Sequence, residues 1–517
     1  MAALNLPHDR YSNGEREPLL PSPPALHESR TQPKPRKEIS PKINETRPWR
    51  LLVTLIVLLI VAFNLGGFLS EPPKIRIYEA NLCVRYYERN DFSKVWPDGS
   101  VDEALCKVNE IQQHVAMVFG WQDTFDAIPG ILLAVPFGTL ADKWGRKWIL
   151  ATNLLGLQLG MAWVLFICYF KTFPLKMTWF SSAFYVIGGG PNVAMAVGVT
   201  MVSDVVPSGK RASTFVYLTA SVLVAELAAP LLAVYLMQFG DWVPLLFALA
   251  IQQVGICIAL LLPETLHLWA LHGPGDLDEH ELTIPPPNEH GSGLQAQIAL
   301  LKDAFAFMKS NATLAIVILT FLGDRLGRHA LSLLIRYASK RYSWRIQDAS
   351  FLLLFRAATN LVALVVFIPG LNYVLLNYLR LLPHRADFWM ACGSTIISTI
   401  AMLVMGMAEN PVLLILGLLI YNLGTGFNAA MRSTAIHVVG GQSSSDVGRL
   451  MAVIAIMESI GMMIAGPLLN KIFEWAMVLG EPWLGLPYLT SALVFGGMTF
   501  LMFLISIGAK ESNRAEL

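Results

Sequence analysis

The chain has 517 residues, of which 54% are hydrophobic and only 15% charged, with a formal net charge of +1; its mean hydropathy is +0.52. A soluble domain carries roughly a quarter charged residues, so the balance predicts a polytopic integral membrane protein and excludes one large water-soluble core. The net charge itself says nothing about nucleic acid, but no basic patch interleaved with aromatics appears, so no nucleic-acid partner is expected; the five cysteines show neither a disulfide framework nor metal spacing, so no cofactor or metal is expected.

Residues 1–48 are polar and proline-rich with no apolar period, which predicts a disordered cytoplasmic tail. No apolar region starts near Met1, so a cleavable signal peptide is not expected. Within the tail, Glu15, Leu19 and Leu20 resemble an acidic dileucine sorting signal; an ordinary tail segment reads the same way. A first apolar run covers 51–69, behind Arg47, Trp49 and Arg50, which suit a cytoplasmic interface. Residues 71–113 read as a polar outer loop, in which Cys83 and Cys106 meet an oxidising compartment and either bridge or stay as two thiols. Further spans are expected at 115–137, 148–169, 178–202, 212–238 and 243–263.

The link between the second and third spans holds Gly138, Leu140, Ala141, Asp142, Lys143, Gly145, Arg146 and Lys147. Glycine lets a helix end approach its neighbour, Asp142 suits the positive N-terminus of an adjacent helix, and the cations hold the loop in the cytoplasm. Residue by residue, this stretch resembles the signature loop G-x-L-A-D-[RK]-x-G-R-[RK] of the major facilitator superfamily. The resemblance implies an all-α integral membrane protein of twelve transmembrane helices in two six-helix bundles. It also implies a conformational latch made of Gly138, Asp142, Gly145, Arg146 and Lys147; a topology anchor without a gating role is the simpler alternative.

Pro263, Glu264 and Thr265 resemble the family's P-E-T ending of the sixth span. The expected organisation is then a first bundle at 49–265, a cytoplasmic linker at 266–311, a second bundle at 312–508 and a short tail at 509–517. Residues 294–308 within the linker suit an amphipathic surface helix. The second-bundle spans are expected at 312–336, 347–370, 387–407, 411–432, 448–470 and 486–508, with both termini cytoplasmic. Both sequons, at Asn44 and Asn311, then face the cytoplasm and read as unglycosylated.

A charge within the hydrocarbon core costs at least about 2.5 kcal/mol on insertion scales, so each one needs a reason. Asp123 and Asp126 share a face of the second span, and Glu226 is the lone acid of the fifth. The seventh span carries Asp324, Arg325 and Arg328, followed by His329; Arg356 lies in the eighth and Glu458 in the eleventh. A water-filled cavity walled by both signs of charge accounts for them. Glu226, then Asp126 and Asp123, are the proton-coupling candidates; the structural alternative pairs Asp123 or Asp126 with Arg325, Arg328 or Arg356 and gives Glu226 a structural partner that the sequence does not name. Asp324 and Arg325 read as a structural pair. Arg325, Arg356, Arg432, Asp324 and Glu458 are cavity candidates, with Trp121 and Tyr185 among the aromatics that could receive a planar solute.

In the fifth span, Ala225, Ala229, Pro230 and Ala233 keep the proline of a glycine-rich element found in proton-antiporting facilitators and replace its glycines. The extended outer loop with two cysteines, the acid of the fifth span and Arg432 resemble the proton-coupled folate transporter group. The tail and the stretch 337–344 resemble fungal facilitators of unassigned or efflux function, a kind that often accompanies secondary-metabolite pathways, which favours export. Together these resemblances imply a monomeric transporter in the plasma or vacuolar membrane. It would export a small organic solute against protons by alternating access. Its rivals are a proton symporter importing an organic anion and a receptor that kept the fold and lost transport. No nucleophile with a base and no phosphate loop suggests an enzyme.

Overall fold

In lipid, a backbone satisfies its own hydrogen bonds only as helix or closed barrel. A computed structural model of the chain describes residues 49–206, 208–265, 302, 312–440 and 447–515, and among them there are helices and turns but no strand. The tail at 1–48, its dileucine-like pattern, both sequon asparagines and the linker apart from Lys302 lie outside the described residues, as does the surface helix expected at 294–308, again save Lys302.

The helical runs are α1 (Trp49–Asn90), α2 (Asn109–Trp144), α3 (Arg146–Phe170), α4 (Leu175–Val205), α5 (Ser208–Met237) and α6 (Trp242–Leu261) in the first half. The second half holds α7 (Ala312–Arg328), α8 (Ile346–Tyr378), α9 (Pro383–Gly406), α10 (Pro411–Val438), α11 (Val447–Leu479) and α12 (Leu486–Ala515). Ten of these are long and apolar enough to cross a membrane, and α2, bent by 54° between Asn109–Ala134 and Pro136–Trp144, makes eleven. The bend is where proline removes a ladder hydrogen bond. α7 does not pass that test: it has 17 residues, ends in charged turns, and continues through His329–Leu333 into Leu334–Arg341. The count of twelve spans therefore rests on α7.

α1 differs most from expectation. Its helix runs through Pro72 and Pro73 to Asn90, so residues 71–90 are helix and only 91–108 connect to α2. Their polar groups find partners: Arg76 pairs with Glu103 at 3.2 Å, and Lys107 Nζ donates to Glu79 Oε1 at 2.8 Å. A disulfide joins Cys83 to Cys106, and Val84, Tyr87, Val101 and Ile111 bury themselves around it. This packed cap marks one end of the molecule; the α2–α3 link at Gly145 marks the other.

Within the first half, α1 packs on α5 and α6. Ala229 and Ala233 of the small-residue stripe are buried with Leu69 and Ala248 in that contact, so the stripe serves the first half itself. The described residues form one compact unit in which α2 meets α11 and α5 meets α8, and these two contacts join the halves.

Candidate functional site

Contacts between the halves run from the cap end to mid-helix. Near the cap, Asn109 Nδ2 donates to Met477 O at 3.0 Å, the Ile346 amide donates to Glu103 Oε1 at 2.8 Å, and Gln347 Nε2 donates to Val234 O at 2.9 Å. Lys340 donates to the Lys107 carbonyl. Deeper, α2 and α11 touch almost backbone to backbone: a Cβ on Gly466 would stand 2.6 Å from Asp123 Cβ and 3.0 Å from Gly120 O. Only glycine allows that approach. Together these contacts close the cap end.

Among the described contacts, two side-chain pairs that involve an acid cross between the halves. Arg356 Nη2 of α8 donates to Glu226 Oε1 of α5 at 2.6 Å. Asn422 of α10 steadies the arginine, its Nδ2 donating to Arg356 O at 3.2 Å. The second pair is Asp123 of α2 with His329, whose Nε2 lies 3.1 Å from Asp123 Oδ2. Asp126, one turn along α2, meets no cation among its described hydrogen bonds: its carboxylate accepts from Gln122 Nε2 at 2.8 Å and from the Ser182 hydroxyl. The structure therefore gives Asp123 a histidine, Asp126 neutral donors and Glu226 an arginine. The arginine pairings expected for Asp123 and Asp126 are not found among the described contacts, because the imidazole and the α4 hydroxyls lie nearer.

Inside the second half, Asp324 is 1% exposed. It pairs with Arg328 Nε at 2.7 Å rather than with Arg325. The reason is helical geometry: residues four apart share a face, whereas neighbours point about 100° apart. Arg325 turns instead towards Glu458 Oε2 of α11, at 3.5 Å. Arg432 of α10 reaches both Glu458 oxygens at 3.0 Å through Nη2, and its Nε donates to Asn428 Oδ1 at 2.8 Å. The structure thus gathers Arg325, Arg432 and Glu458 at one place and puts Arg356 elsewhere, with Glu226.

Of the aromatic candidates, Tyr185 lies within electrostatic reach of Asp126, whereas Trp121 faces away from Asp123. Trp121 is 46% exposed. It stacks on Phe125 at 5.9 Å, on the face of α2 opposite Asp123. Tyr185 packs on α3, where a Cβ on Gly160 would come within 2.9 Å of its ring. Among the groups that sequence reasoning passed over, Arg336 is the most buried cation at the interface. It donates to Asn470 Oδ1 at 2.7 Å and covers the Phe119 ring at 4.6 Å.

At the far end, the signature loop closes on itself. α2 stops at Trp144 and α3 starts at Arg146, with Gly145 between them at φ 106°. A side chain there would be strained, and its Cβ would sit 2.5 Å from Glu264 Oε2. That carboxylate accepts from the Arg146 amide at 2.9 Å and the Lys147 amide at 3.3 Å, so it occupies the positive end of α3. Asp142, expected at such a helix end, instead meets Arg146 Nη2 at 3.4 Å and is 66% exposed. Arg146 also pairs with Asp204 of α4 and donates to Thr200 O at 3.3 Å. Gly138 has open space beside it. The described contacts of Asp142, Arg146 and Lys147 lie within the first half.

Comparison with known proteins bears on this arrangement. The profile of the Major Facilitator Superfamily matches residues 109–466. The MFS efflux pump atnC of Emericella nidulans is 30% identical over 98% of this chain and 96% of its own. The efflux pump ustT of Aspergillus flavus is 27% identical over 85% of each chain. Among solved structures, the POT family transporter PepTSo superposes with a TM-score of 0.58 at 12% identity, covering 90% of this chain and 99% of its own. The nucleoside transporter NupG does so with a TM-score of 0.56 at 15% identity, covering 89% and 99%. By the extent of the profile match and of the fungal relatives, this chain is a multi-pass membrane transporter and belongs to the Major Facilitator Superfamily.

Proposed function

We propose that this transporter exports a small organic solute in exchange for protons by alternating access, with Glu226 as the proton-coupling carboxylate. The observation that carries the reading is the Glu226–Arg356 pair at 2.6 Å, which ties the fifth helical run of one half to the eighth of the other. In the state closed at the cap, the carboxylate is held by a guanidinium of the other half. When the halves part at the cap end, that pair breaks, and the exchange of the guanidinium for a proton at Glu226 is the coupling step. Each cycle would therefore carry one proton from the cap side to the other side. Asp123 and Asp126 are the secondary candidates for proton sites.

The cations of the signature loop favour placing the Asp142 end in the cytoplasm. Both termini would then be cytoplasmic and the disulfide outside, in a plasma-membrane monomer. In the cap-closed state the Asp142 carboxylate is turned to solvent, available to engage the second half when the cytoplasmic side shuts; this is the latch role. Export is favoured by the names of the fungal relatives, atnC and ustT, both efflux pumps.

The test is flux in sealed vesicles holding the purified protein, with an imposed pH gradient and a panel of amphipathic solutes. The wild type should move solute against the proton flow. Glu226→Gln should retain exchange of solute for solute but lose acceleration by the gradient. Movement of solute and protons in one direction would replace export by symport, and gradient-driven flux in Glu226→Gln would remove Glu226 from the coupling role.

A further inference from the structure

Arg325 and Arg432 are each 41% exposed, although each belongs to a run of helix buried in a membrane protein. A guanidinium does not stand in hydrocarbon without strong compensation, so such exposure inside the bundle means an aqueous cavity. The two side chains converge from α7 and α10 on one carboxylate, Glu458, which is 12% exposed. Two cations against one anion leave the cluster with one positive charge in excess. Asp324 and Arg328 behind it neutralise each other at 2.7 Å and do not change the balance.

The donors are also under-used. A guanidinium has five N–H groups. Arg432 directs its Nε to Asn428 and its Nη2 to Glu458, whereas the one described partner of Arg325 is Glu458, at 3.5 Å. The cavity between them holds unspent planar donors, suited to an oxyanion that can accept two parallel bonds.

We propose that Arg325 and Arg432 form the seat for an acidic group on the solute, so that the exported compounds are organic anions bearing a carboxylate or a similar oxyanion. Glu458 occupies the seat in the empty state and competes with the solute for the two guanidiniums. This rests on the export reading for its physiological meaning, but its test is binding, which needs no gradient.

The experiment measures binding of 2-naphthoate, octanoate and naphthalene-2-sulfonate to the purified full-length protein, beside the neutral 2-naphthamide and octanamide. Quenching of tryptophan fluorescence and thermal stabilisation serve as the readouts. The anions should bind at least about tenfold more tightly than the amides, as expected for one charge-assisted hydrogen bond. Arg325→Gln and Arg432→Gln should remove that preference. Glu458→Gln should strengthen anion binding and leave amide binding unchanged, a gain that a merely structural role for Glu458 would not produce and that does not depend on how the arginine variants fold. Equal binding of anions and amides, or weaker anion binding in Glu458→Gln, would overturn the proposal. If anions bind as expected and no gradient moves them, the seat stands and the export reading falls. If the gradient drives neutral solutes and anions have no advantage, the reverse holds.

Discussion

The closest approach between the halves is the place to perturb the conformational balance. Gly466→Ala adds one methyl where its carbon would lie 2.6 Å from Asp123 Cβ and 3.0 Å from the Gly120 carbonyl. Both obstacles sit on or next to the α2 backbone, so rotating a flexible side chain cannot relieve the clash. Overpacking of this kind costs roughly 1–3 kcal/mol. The penalty falls on the cap-closed state, where α2 and α11 touch, and is absent once they part. A differential of that size shifts a two-state equilibrium roughly 5- to 150-fold. The assay is double electron–electron resonance between spin labels on Phe92→Cys and Pro482→Cys, both exposed at the cap end and in opposite halves. The exposed Cys257 is replaced by serine, while Cys168 and Cys392 are buried. The wild type should show mainly the short distance, and Gly466→Ala should add a long-distance population. An unchanged distribution, in a variant with unchanged thermal stability, would show that this contact does not determine which end is open.

Three further outcomes follow from the same geometry. Gly145→Ala should destabilise the purified protein by roughly 1–3 kcal/mol in thermal unfolding, because it places a side chain at positive φ and dislodges Glu264 from the start of α3; a neutral effect would mean the link repacks freely. Asp324→Asn leaves the half-buried Arg328 without its anion and should cost roughly 3 kcal/mol, the low end for breaking a buried pair, seen as poor yield and a lowered unfolding midpoint. Arg325→Gln, on the open cavity wall, should leave that midpoint nearly unchanged. Between α5 and α6, burial raises the pKa of Asp241, Arg76 at 3.9 Å offsets part of that, and Glu103 adds to the rise. An acid whose pKa is raised on folding opposes the fold once ionised. Asp241→Asn should therefore raise the midpoint at neutral pH, and the gain should fade as the pH falls towards the ordinary aspartate value of about 3.9. Destabilisation at neutral pH would mean that Arg76 outweighs the desolvation.

The sequence makes some of this plain and hides the rest for physical reasons. Apolar runs and the Gly138–Lys147 stretch announce the family because length, hydropathy and loop chemistry are local properties. The continuation of α1 to Asn90 was hidden because Glu79, Arg76 and Lys107 read as solvated loop residues until their mutual pairing is visible. The charges inside the spans could be named but not matched: Glu226 and Arg356 are 130 residues apart, and Asp123 and His329 are 206 apart. Glu264 read as the end of a span, whereas its carboxylate completes the α3 terminus 118 residues earlier. For Asp324, one-turn spacing already favours Arg328 over its neighbour Arg325. That signal was available in the sequence.

The central claim is that proton movement and solute movement are one process, joined at Glu226 and Arg356. The most direct measurement is internal pH in protein-bearing vesicles when a transported solute is added outside, with no pH gradient imposed and the membrane potential clamped. Wild-type protein should move protons opposite to the solute, with a rate that tracks solute concentration, and Glu226→Gln should give no pH change while still exchanging labelled solute. A pH change of equal size in Glu226→Gln, or solute uptake by the wild type with no proton movement, would contradict the account.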